Sequence, residues 1–199
     1  MFKVKLNLRK VATIIACLAV TSMMFSGCKK DKQESENPDY VLINGVKWAT
    51  RNVGMPGTFV ENPEDFGEYY QWNRETPDWT PDWNGYGADT WEIAHCPCPA
   101  GWRVPTESEL KKLANSGSSW GTLNGIDGRF FGNGEQTIFL PAAGKRDSNK
   151  EGEGSYWSSN MAGTGNNRAK HMSFDKSNGG IWYVNTYRYT GCSVRCVKE

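Results

Sequence analysis

Four cysteines in two close couples restrict the fold of this chain more than any other feature. Cys96 and Cys98 flank one proline in "HCPCPAGWRVPTESEL", next to His95, and Cys192 and Cys196 stand in "GCSVRCVKE". They can form a metal site, a redox centre or two covalent staples. A four-cysteine zinc site typically uses C-x2-C knuckles, and a redox pair more often reads C-x-x-C. These couples leave one and three residues between their members. Which option holds depends on the compartment, because paired thiols of exported domains become disulfides.

The first residues address the compartment. In "MFKVKLNLRKVATIIACLAVTSMMFSGCKK", Lys3, Lys5, Arg9 and Lys10 precede an apolar run from Val11 to about Val20, and small residues follow. This order predicts an export signal, too short for a membrane span. Its end, "FSGC", resembles a bacterial lipobox, with Phe25 where an aliphatic residue is usual. The sequence therefore predicts a signal peptide over residues 1–27 and lipidation at Cys28. Residues 28–39, with "KKDKQESENPD", have no apolar residue to bury and are expected to be a flexible tether. The expected location is the cell envelope, as an outer-membrane lipoprotein on its periplasmic or cell-surface face, with the lipid as the only membrane contact. Disulfides are then the expected state of the four domain cysteines, their pairing open at this point.

Residues 40–199 suit a single domain. They carry 16 Lys and Arg against 18 Asp and Glu, so no basic field for nucleic acid exists. All nine tryptophans lie in this part, among many glycines, which implies irregular loops pinned by aromatic side chains. "YVLINGVKWATRNVG" predicts a tight hairpin turning at Asn44-Gly45, with Trp48 facing the core. "ENPEDFG" predicts one short helical turn capped by Asn62, and "EYYQWN" a strand. Residues 74–90, "RETPDWTPDWNGYGADT", read as a long loop. The clearest helix is "VPTESELKKLANSG", where Thr106 and Glu109 form a capping box and Leu110 and Leu113 an apolar edge. "TIFLPAAG", "SYWSS", "KHMSF", "IWYVNTYRY" and "GCSVRCV" read as short strands, and "KRDSNKEGEG" as an exposed loop.

The order "INGVKWATRNVG", "PEDFGEYYQWN", "CPAGWRVPTESEL", "LPAAGKRD", "GSYWSS" and "GCSVRCVKE" resembles the Fibrobacter succinogenes major paralogous domain, common among lipoproteins of Bacteroidetes-type bacteria. The resemblance spans residues 40–199. It implies an α+β, disulfide-bonded, C-type-lectin-like domain: small antiparallel sheets with one or two helices, long loops, and the two chain ends together. It also implies the pair Cys98–Cys196. Cys96 and Cys192 stand where the family has other residues, and their joint presence suggests a second bridge, Cys96–Cys192. Each bridge would close a loop of roughly 100 residues and stabilise by up to about 4–5 kcal/mol in the chain-entropy model.

No catalytic constellation stands out, and an enzyme is not expected. His95 abuts the cysteines, and His171 is read as a strand residue facing solvent or a neighbour. The serines of "YWSSN" are not in a nucleophile elbow, and in the family that motif is structural. Fold similarity to formylglycine-generating enzymes does not carry activity. Asp147, Asn149 and Glu151 precede Gly152 like the start of a calcium loop, but Ser158 stands where a bidentate Glu is needed. No metal and no cofactor are expected.

Recognition remains. Alternation along "IWYVNTYRY" puts Trp182, Val184, Thr186 and Arg188 on one face and Tyr183, Asn185, Tyr187 and Tyr189 on the other. The second row, with Trp182 nearby, is the candidate binding strip, because tyrosine and tryptophan give contact area at low entropic cost. The competing reading is that these aromatics fill a small core. The expected function is a surface-anchored module that binds a protein or glycan. Alternatives are a structural, fimbria-associated lipoprotein, or a variable protein of a diversity-generating retroelement, whose Asn- and Tyr-rich C-terminal region this one resembles.

Overall fold

Asn44 and Gly45 both take positive φ, 48° and 78°. That is the backbone of a type I′ turn, and it folds β1 (Tyr40–Ile43) onto β2 (Val46–Ala49). The computed structural model describes residues 39–146, 152–163, 167–176 and 181–199, without the side chains of Tyr86 and Trp182. The lipidation candidate Cys28, the signal and most of the tether lie outside these residues, as do Asp147, Asn149 and Glu151. The segment Pro38–Glu199 forms one compact unit.

The described residues of the unit form three antiparallel sheets. The first has the order β1-β2-β10-β3. Here β10 (Val197–Lys198) lies between β2 and β3 (Trp102–Arg103), so Val197 faces both Trp48 and Arg103. The second is a meander of β4 (Ser118–Leu123), β5 (Ile126–Asn133) and β6 (Gln136–Pro141). The third joins β7 (Glu153–Met161), β8 (Arg168–Asp175) and β9 (Ile181–Tyr187). One α-helix, α1 (Glu107–Ala114), is present among the described residues, and no described helix is long and apolar enough to cross a membrane.

The capping box fixes where α1 begins. Thr106 Oγ1 accepts from the Glu109 amide, and the Glu109 carboxylate accepts from the Thr106 amide at 2.8 Å. Arg103 forks onto the same carboxylate at 2.9 and 2.6 Å, tying β3 to the helix. Leu110 and Leu113 are fully buried.

The third sheet separates two cores. Tyr156, Met172 and Phe174 pack with Trp48, Leu110, Phe131 and Leu140 on one side. Trp157 and Ala169 pack with Tyr70, Trp72, Trp91, Val194 and Cys196 on the other. Neighbouring residues of one strand thus serve opposite cores, which is why residues 153–159 are all buried. Gly154 is needed for this packing: a Cβ there would come 2.1 Å from the Phe174 ring. The "YWSSN" motif is structural. Trp157 Nε1 donates to the Tyr70 carbonyl at 2.7 Å, and Ser158 Oγ to the Lys170 carbonyl at 3.0 Å.

Three sequence expectations are corrected. "ENPED" makes a turn, with the Asp65 carboxylate accepting from the Asn62 amide, and no helix. "EYYQWN" is not a regular strand: Tyr70 makes a single bridge to Cys192, and the chain reverses at Asn73, whose φ is 59°. "GCSVRCV" is likewise no continuous strand. Cys192 bridges to Tyr70 and Ser193 to Tyr156, and only Val197 enters the first sheet.

That last correction governs the cysteines. Cys98 and Cys196 form a disulfide, with Cα atoms 6.1 Å apart. Cys96 and Cys192 are free, so the second bridge expected from the sequence is absent. The chain changes partner between residues 192 and 196, from the Tyr70 bridge at Cys192 to the first sheet beside Cys196. Cys192 is fully buried in the neighbourhood of Lys145 and Glu153, whereas half-buried Cys96 lies near Arg103 and Glu199. Burial pushes both thiols up, so neither is a ready thiolate.

Candidate functional site

Among the described residues, strand β9 lies at the edge of the third sheet and pairs only with β8. Its register sets Tyr183 against Met172, Asn185 against Lys170 and Tyr187 against Arg168. Met172 belongs to the first core. The predicted row therefore begins in the core and ends in solvent, which splits the candidate strip.

Tyr183 is on the core side. It packs against the first core, its hydroxyl donates to the Leu110 carbonyl at 3.3 Å, and Lys111 Nζ lies 5.4 Å from its ring centre. Burial, with a contribution from Glu107, pushes its phenol up to about 12. Tyr183 therefore clamps α1 to the sheet and is not part of an exposed strip. Asn185 is exposed, and Tyr187 is 42% exposed. Tyr189 lies past the strand end, in a turn closed by the Thr190 amide on the Tyr187 carbonyl. The turn still brings the two tyrosines together: their rings stack at 5.0 Å with a 10° angle. Arg168 Cζ lies 4.4 Å from the Tyr187 ring centre. The Trp182 side chain lies outside the described residues.

Two buried polar side chains bring the tryptophan-rich loop to this end of β9. Gln71, 1% exposed, donates through Nε2 to the carbonyls of Thr80 and Tyr189 at 2.7 and 2.9 Å. Its Oε1 accepts from the Thr80 amide and from Arg74 at 2.9 and 2.8 Å. Arg188, 3% exposed, lies 4.4 Å from the Trp72 ring centre and donates to the Asn84 carbonyl at 2.9 Å. Burial holds its pKa below the usual arginine value. In the loop so latched, Trp79 is 42% exposed, and half-buried Trp83 lies 5.0 Å under Arg74 Cζ.

The long loop of residues 74–90 and the candidate strip on β9 lie far apart in the sequence, and Gln71 and Arg188 tie them together. Neither Gln71 nor Arg188 was singled out as a latch, and no local signal marks them, because their partners are remote in sequence. The joined surface offers Trp79, Tyr187, Tyr189, Arg168 and Asn185, residue types that dominate recognition surfaces.

His171 is 1% exposed and sits edge-on to Trp157, 5.8 Å between ring centres. Burial pulls its pKa down to about 4, and Lys145 adds to that effect while Glu153 opposes it. Burial works against the Glu153 carboxylate, yet hydrogen bonds from Lys145 and Ser173 hold its pKa below the usual value. Among the described residues, no three His, Cys, Asp or Glu side chains cluster as a metal site would require.

No protein-family model matches the chain, and neither the curated proteins nor the solved structures contain a match.

Proposed function

We propose that this chain is an envelope lipoprotein whose domain binds a macromolecular ligand without catalysis. The observation that carries the reading is the composite aromatic surface, where stacked Tyr187 and Tyr189 and the exposed Trp79 share a frame latched by Gln71. Exposed aromatics held on a rigid frame present contact area whose ordering cost is already met by folding. A C-type-lectin-like fold is part of the proposal. It is supported by the first and last strands lying in one sheet, by the single described helix, and by a disulfide between residues 98 apart in sequence.

The test is an array of glycans and peptides probed with the purified protein. Tyr187→Ala and Trp79→Ala should each weaken binding to whatever is captured by about thirtyfold, the effect of removing an interface anchor of about 2 kcal/mol. Their melting temperatures should stay near that of the wild type, and Tyr183→Ala should lower it. Wild-type affinity in both surface variants would remove this surface from consideration.

The anchor rests on the basic, apolar, "FSGC" order of the first residues. Growth with a labelled fatty acid should mark the wild type and leave Cys28→Ala unmarked. Equal labelling of the two would rule out lipidation at that residue.

A further inference from the structure

A cavity of about 270 Å³ opens beside Cys96 and Trp102, lined by residues of the segment from Thr90 to Thr106 together with Ser159 and Glu199. None of the residues of the surface proposed above lines it. Its volume is at the low end for ligand pockets, which suits a group the size of an amino-acid side chain. The walls are well fixed. The Trp91 amide donates to the Ser159 carbonyl at 2.9 Å, Trp91 Nε1 donates to the His95 carbonyl at 2.8 Å, and Phe59 meets the Trp102 ring edge-on at 5.1 Å.

The polar groups left over in this cavity are mostly acceptors. Arg103 forks onto Glu109 at 2.9 and 2.6 Å and also donates through Nη1 to the Val104 carbonyl at 3.4 Å, so its charge is met by the Glu109 carboxylate. Thr106 is used in the helix cap. Glu92 Oε2 accepts from Asn73 Nδ2 at 3.3 Å and lies 3.0 Å from His95 Nδ1, and Oε1 has no partner among the described residues. Glu199 lines the cavity, and its side chain makes no hydrogen bond or ion pair among the described residues. The Trp102 ring already attracts one cation: Lys198 Nζ lies 5.7 Å from its centre, and 5.2 Å from that of Tyr40. Ile93, 90% exposed, offers an apolar lip.

We propose that this cavity binds an alkylammonium group, with the alkyl body against Trp91, Trp102 and Ile93 and the charge toward Glu92 and Glu199. An ammonium ion near a tryptophan face is attracted by the ring quadrupole, and the two exposed carboxylates at the cavity's edge supply the acceptors an ammonium needs. The ammonium can be that of a free amine or of a lysine side chain on another protein. A carboxylate or phosphate ligand would meet Glu92 and Glu199 as like charges.

The test is titration of the full chain, ¹⁵N-labelled, while the indole signals of Trp91 and Trp102 are followed. The probes are n-butylammonium, n-butanol, butyrate and N-acetyl-lysine methylamide. Butylammonium and the lysine amide should shift both signals saturably, and butanol and butyrate should bind at least tenfold more weakly. The tighter of the two ammonium probes identifies the source of the ligand. Glu199→Gln should weaken ammonium binding at least fivefold without changing the melting temperature. Cys96→Phe, which fills the cavity, should abolish it. If Cys96→Phe does not fold, Glu199→Gln decides alone. Equal binding of butanol, unchanged affinity in Glu199→Gln, or no shift with any probe would each overturn the proposal. Ligand loss through Tyr187→Ala would not bear on it, so the two sites fail or stand separately.

Discussion

Arg195→Met is expected to destabilise the domain by roughly 4 kcal/mol or more, a large part of the 5–15 kcal/mol typical of a domain. Arg195 is fully buried, and its guanidinium is a three-way junction. Nε donates to Asn52 Oδ1 at 2.9 Å, Nη1 to the Ala49 carbonyl at 3.1 Å and Nη2 to the Phe139 carbonyl at 3.0 Å. It thus binds the end of β2 and the segment after it to β6. Methionine keeps much of the volume but leaves three buried acceptors without these donors, and each orphaned group costs about 1–3 kcal/mol. Burial pulls the guanidinium down to about 10, with Tyr156 opposing the shift. The cation therefore persists at neutral pH. Arg195→Lys should recover little, because one ammonium cannot span three acceptors set for a planar fork. Urea unfolding of the three proteins measures the effect. A loss under about 1 kcal/mol in the methionine variant would show that the junction is dispensable.

Acid is expected to weaken the domain through His171. Its folded pKa of about 4 lies below the unfolded value near 6.5. As pH falls through this window, the unfolded chain takes up the proton first, so stability drops. The contribution is whole above about pH 6.5 and is lost progressively toward pH 4, roughly 3 kcal/mol in total. Glu107, Glu109 and Glu153 have pKa values lowered from 4.5, so their stabilisation is present above that value and is lost as pH falls from it through the lowered ones. The interval from pH 6.5 to about 4.5 therefore reports mainly on the histidine. His171→Phe keeps an aromatic ring against Trp157 and removes the titration. Its unfolding free energy should be nearly flat across that interval while the wild type slopes. Parallel slopes in the two proteins would assign the acid sensitivity elsewhere.

The elements legible in the sequence were those whose signal is local. The capping box of Thr106 and Glu109 and the Asn44-Gly45 turn each act within four residues, and both formed as expected. The β4–β5 hairpin carried the same turn signal at Asn124-Gly125, where φ is 48° and 86°, but was not recognised. Its first strand, "SSWGTL", shows no clean alternation, because β4 is only partly covered along its length. Parity placed Tyr183, Asn185 and Tyr187 correctly on one side of β9. It does not show where along the strand the core stops, and so it sets Tyr183, which packs against the first core, in one strip with the exposed Asn185 and Tyr187. The bridge expected between Cys96 and Cys192 is absent, because the joint presence of two cysteines does not show that the fold brings them together, and Cys192 bridges to Tyr70 instead. Gln71 and its Tyr189 partner are 118 residues apart, a distance at which only the folded chain brings them into register.

The position of β10 in the first sheet bears on how the domain can be made. Strands β2 and β3 do not touch each other. Each pairs with Val197, close to the end of the sequence. A nascent chain that has emerged as far as the third sheet therefore holds two unfilled strand edges and an open disulfide partner at Cys98. Closure of loops this long is a slow step in folding, and unpaired edges are where incomplete chains associate wrongly. The first sheet thus stays open until Val197 arrives and slots between strands laid down about a hundred or more residues before it.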